Sequence, residues 1–79
     1  MSENKLPPGQ RKTLEASRQF IVDNGYPPTV EQLRIATGLK AVSTVHYHLL
    51  ALKKKGFVYW NRGEARTLRI IEKESNAQA

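Results

Sequence analysis

The sequence predicts a mainly α (α+β) domain in which three helices precede a C-terminal β-hairpin. Three observations carry this. Apolar residues recur at helical spacing in three successive segments, and a glycine closes each one. After Gly56 the pattern changes to β-branched and aromatic runs around a short polar loop. The chain has 79 residues and no cysteine, so one small core must hold it together without a disulfide or a thiolate metal site.

The first eight residues, MSENKLPP, are polar and end in Pro7-Pro8, which predicts a flexible arm over 1–8 ahead of a folded domain over 9–71. A first helix is expected over 10–23. Thr13, Leu14, Ser17, Phe20 and Ile21 share one face, with Gln10 and Ala16 at its edges and Arg11, Arg18 and Asp23 elsewhere. Ser17 is the misfit on that face. Asn24-Gly25 ends the helix, since glycine takes the left-handed C-terminal geometry at no steric cost.

In YPPT the two prolines impose an extended entry. Thr29 then stands as an N-cap with Gln32 three residues on as its capping-box partner. The second helix, over 30–37, is expected to bury Val30, Leu33 and Ala36, and Gly38 ends it. A tight turn over 38–41 leads to a third helix over 42–55, whose stripe is Val42, Val45, Leu49 and Leu52. FVYW and TLRII follow as strands over 57–60 and 67–71, joined by NRGEAR. The remainder, EKESNAQA, is a polar tail over 72–79 with no apolar period, expected to be disordered. Two helices joined by a short glycine-containing turn form a helix-turn-helix, and the hairpin makes it a winged one.

Charge narrows the partner. Thirteen Lys plus Arg against seven Asp plus Glu give a formal +6, which favours a polyanion, nucleic acid before anionic lipid, over mere solubilising charge. No apolar run approaches the ~20 residues that span a bilayer, and the start lacks the apolar stretch of a signal peptide, so a cytoplasmic protein is expected.

The segment STVHYH, residues 43–48, holds both histidines. On a helix, residues two apart point about 200° from each other, so His46 and His48 cannot share one metal ion. No nearby acid orients an imidazole for Ser43, so neither a metal site nor an enzyme is expected. His48 falls at the edge of the apolar stripe as a packing residue. Ser43, Thr44, His46 and Tyr47 crowd the first turn and a half of the third helix, where hydroxyl, imidazole and phenol can reach base edges in a major groove. Leu50 beside Tyr47 is expected to be exposed. Phosphate contacts are expected from the N-terminus of the second helix at Thr29, from Lys40 and Lys54, and from Arg62 and Arg66 at the hairpin tip. Lys53, Lys54 and Lys55 also suit the helix C-terminal dipole.

GYPPTVEQLRIATGL, STVHYHLLALKKKGF and RTLRII together resemble the N-terminal DNA-binding domain of LexA repressors, over about residues 6–71. The resemblance implies a winged helix that represses transcription at inverted-repeat operators on double-stranded DNA. It places base readout on Ala41, Ser43, Thr44, His46 and Tyr47, and wing contacts on the loop over 62–66. Ala41 stands where the family often has a capping serine, and Tyr47 where it has Gly or Glu. The family's self-cleaving, dimerising Ser/Lys domain has no counterpart in these 79 residues, which predicts a monomer in solution and two copies on an inverted repeat. Two rival readings are a winged helix that binds a protein partner, such as polymerase or a repressor, through Tyr47 and Leu50, and a non-specific nucleic-acid binder. No cofactor is implied.

Overall fold

The computed structural model describes residues 5–61, 63 and 66–71 of the chain. Three helices, α1 (Pro8–Asn24), α2 (Val30–Thr37) and α3 (Val42–Lys55), precede two short strands, β1 (Val58–Tyr59) and β2 (Arg69–Ile70). The strands pair antiparallel, with Val58 opposite Ile70 and Tyr59 opposite Arg69. All three helices pack on one another, and the hairpin lies against α3 and α1. This is a winged helix-turn-helix. No helix among the described residues is long and apolar enough to cross a membrane.

The core gathers Leu6, Leu14, Leu33, Val45, Leu49, Leu52, Phe57, Val58 and Leu68, drawn from the three helices, β1, the residues flanking the strands and the segment before α1, with Ile70 of β2 packed against it. Leu6 corrects the expected arm. It is only 5% exposed, and the helix begins at Pro8 with proline in its first turn, where its fixed φ and missing N–H cost nothing. Residues 1–4 and the tail over 72–79 lie outside the described residues.

Polar residues on the buried face of α1 bond to their own helix. Thr13 Oγ1 donates to the Gly9 carbonyl (2.9 Å) and Ser17 Oγ to the Thr13 carbonyl (2.8 Å), so both hydroxyls are buried without being orphaned. Gln10 accepts from Lys55 Nζ at 2.7 Å, tying the start of α1 to the end of α3. The same device corrects the expected face of α2. Ala36 is exposed and Thr37 is buried instead, its hydroxyl donating to the Leu33 carbonyl at 2.8 Å. Val42 is likewise 43% exposed at the first turn of α3, so the stripe of that helix starts at Val45.

The turn between α2 and α3 needs Gly38, which sits at φ 78° and sends its N–H back to Arg34 and Ile35. Gly9 serves a different need. A Cβ there would lie 2.6 Å from His48 Nε2, so its bare backbone lets α1 approach the imidazole on α3. The paired strands are shorter than the β-rich runs that announce them, although Ile71 N–H also reaches the Phe57 carbonyl at 2.8 Å.

Candidate nucleic-acid interface

The start of α3 presents a row of side chains to solvent because its apolar stripe is narrow. Val45, Leu49 and Leu52 turn inward, which leaves Ser43, Thr44, His46, Tyr47, Leu50 and Lys54 exposed. Tyr47 is 66% exposed and Leu50 48%. Ala41 is the N-cap in an extended conformation with no side-chain cap; its carbonyl takes the N–H groups of Thr44 and Val45. The helix therefore starts without the cap hydroxyl that normally satisfies one of its orphan donors.

The two histidines part company as helical geometry requires. His46 meets the Trp60 ring edge to face, with centroids 6.0 Å apart, whereas His48 packs against Gly9 and touches Tyr47 at 5.8 Å. The buried Nδ1 of His48 has no hydrogen-bond partner among the described residues. Among those residues no three His, Cys, Asp or Glu side chains come together as a metal site would need.

The basic residues divide by what already holds them. Lys53 Nζ sits 4.7 Å from the centre of the Trp60 ring and 5.0 Å from that of Tyr59, a cation over two aromatic faces that joins α3 to the hairpin. Lys55 is held by Gln10. Lys40 and Lys54 are exposed on the turn and on the outer face of α3. Arg62 lies outside the described residues. Arg66 is exposed, but its Nη1 donates to the Pro27 carbonyl (3.1 Å) and to Gln32 Oε1 (3.0 Å), and its guanidinium lies 4.8 Å from the centre of the Tyr26 ring.

At the start of α2 the expected capping box is complete. Thr29 Oγ1 accepts from Gln32 N–H (3.1 Å), and Gln32 Oε1 accepts from Thr29 N–H (3.0 Å). Glu31 takes two bonds from Arg34, at 2.9 and 2.7 Å, which hold its carboxyl below the usual range. A groove of about 270 Å³ runs between the start of α2, α3 and the wing, floored by Val30, Leu33 and Leu49 and walled by His46 and Trp60.

Trp60, Lys53 and Tyr26 make contacts between elements that pattern reading did not assign. Their aromatic and cationic character is visible in the sequence, but their partners lie on other elements.

The chain that forms this helix-turn-helix, with its exposed polar row at the start of α3 and a wing beside it, matches the family model of the LexA DNA binding domain over residues 3–67. The chain belongs to the LexA DNA-binding domain family. A LexA repressor from Acetivibrio thermocellus is 36% identical over 76 residues, covering 96% of this chain and 36% of the relative. One from Caldicellulosiruptor saccharolyticus is 39% identical over 70 residues, 89% of this chain and 35% of the relative. One from Clostridium kluyveri is 40% identical over 58 residues, 73% and 29% respectively. The chain thus spans about a third of the length of the curated LexA repressors it matches.

Proposed function

We propose that this domain binds double-stranded DNA sequence-specifically in the cytoplasm, without catalysis, and represses transcription there. Ser43, Thr44, His46 and Tyr47 read base edges from the first turn and a half of α3, with Ala41 at the entrance of the helix. Lys40 and Lys54, the N-terminus of α2 beyond Thr29, and Arg62 in the wing loop supply phosphate contacts. One copy in solution, and two on an inverted repeat, is the assembly this predicts. Among the described residues the exposed large apolar side chains are Val22, Tyr26, Ile35, Val42, Tyr47, Leu50, Tyr59 and Ile71, and they are spread over α1, α2, α3, β1 and the segments beside them.

The observation that carries this reading is the exposed polar row at the start of α3, on a chain with a formal +6. A second reading, a protein-binding winged helix, draws on one observation, the exposure of Tyr47 and Leu50 on the same helix. Selection from random duplexes separates the two. A DNA-reading domain enriches one motif, and its inverted repeat binds two copies; a protein-binding module enriches none.

A further inference from the structure

Arg66 is the only residue other than glycine with a positive φ among the described residues, at 58°. An L side chain rarely keeps that backbone conformation unless its surroundings over-determine it. Here three contacts do so. Nη1 donates to the Pro27 carbonyl, 39 residues away in sequence, and to Gln32 Oε1, 34 residues away. The guanidinium also faces the Tyr26 ring. Gln32 Oε1 is the same oxygen that receives the Thr29 N–H in the capping box, so one acceptor serves both the cap of α2 and the wing. Next in the chain, Thr67 Oγ1 accepts the Asn61 N–H at 2.8 Å and holds the two ends of the wing loop together.

These contacts use what a guanidinium has and an ammonium lacks, planar donors in fixed directions and a flat face for an aromatic ring. A guanidinium can also grip a phosphate, but here both bonds of Nη1 and the flat face are already taken up within the protein. We propose that Arg66 is a positioning residue, which fixes the wing on the N-terminus of α2, and not a phosphate ligand. It thereby sets where Trp60, Asn61 and Thr67, the described ends of the wing loop, stand relative to the start of α3. The effect on DNA rests on the proposed DNA-binding function, whereas the tether is a property of the free protein.

Four variants separate the two roles. Arg66→Asn keeps a residue tolerant of positive φ but removes the guanidinium, and Arg66→Lys keeps the charge. Tyr26→Leu removes the ring, and Tyr26→Phe retains it. In the free protein, amide hydrogen exchange at Asn61 and Ile71, read by NMR, should accelerate roughly tenfold in R66N and R66K, the size of a charged hydrogen bond, and a few-fold in Y26L, the size of a cation–π contact at an exposed site. Y26F should match the parent, and R66N combined with Y26L should exchange little faster than R66N alone, because the ring acts through Arg66. On duplex DNA, R66K should lose as much affinity as R66N while keeping the parental salt slope, which a lost phosphate contact would flatten by about one unit. Unchanged exchange in R66N and R66K would overturn the tether. An R66K protein with parental DNA affinity would overturn the positioning role and return Arg66 to the phosphate backbone. If no variant and no parent protein bound duplex, the functional reading would fail while the exchange data still decided the tether.

Discussion

His46 shows what one residue's chemistry and its setting each contribute. Its place on the outer face of α3 follows from helical spacing alone, and the structure leaves it exposed. Its contact with Trp60 was not legible, because that contact exists only once the hairpin has folded back on α3. Replacing His46 or Tyr47 with Ala should cost ~1–3 kcal/mol of binding on the preferred site and much less on random duplex. Competition titrations on both duplexes check this, and equal losses would mean that neither side chain reads bases. Gly9 is the clearest packing constraint at this scale. A Cβ there would lie 2.6 Å from His48 Nε2, so Gly9→Ala should destabilise the fold by ~1–3 kcal/mol through overpacking, despite the better helix propensity of alanine. Urea unfolding measures the loss, and in a His48→Ala background the same change should become neutral or favourable. Nothing in the sequence around Gly9 announces that contact, since its partner is 39 positions away in the chain.

At the scale of single elements, signals confined to a few neighbouring residues translated well. The Thr29–Gln32 capping box is complete, and α2 and α3 end at glycines with left-handed backbones. Thr29→Ala should therefore cost about 1 kcal/mol of stability in a thermal or urea melt, the usual worth of an N-cap hydroxyl. The apolar faces translated less well. Hydropathy placed Ala36 inside and could not anticipate Thr37, because a hydroxyl bonded to the carbonyl one turn back becomes fit for burial. Thr13 and Ser17 on α1 follow the same rule, which also explains why a serine could occupy that face. Within α2 the bidentate Arg34 bond lowers the Glu31 carboxyl, so its contribution is complete above the ordinary carboxylate range and fades as acid protonates Glu31. Stability curves of the parent and Glu31→Gln should accordingly differ by a small amount at neutral pH and converge in acid. A gap that widened in acid would show that the pair does not act in this way.

For the molecule as a whole, the order helix, short helix, helix, hairpin was readable because prolines and glycines punctuate it and the period changes once, after Gly56. How the hairpin is held was not readable. Lys53 over Tyr59 and Trp60, and Arg66 on Tyr26, Pro27 and Gln32, bridge elements that the sequence separates. These bridges place the wing beside the exposed row on α3, so the two can meet one ligand together. In the proposed function the formal +6 supplies attraction to any polyanion, and the row on α3 supplies the choice among sequences. The most direct test compares affinity for the selected inverted repeat with affinity for a scrambled duplex of equal length across a series of salt concentrations. Binding to both should weaken as salt rises, while a preference on the order of 10³ for the selected repeat persists. A ratio near one at every salt concentration would contradict sequence-specific recognition and leave only a basic surface that holds any duplex.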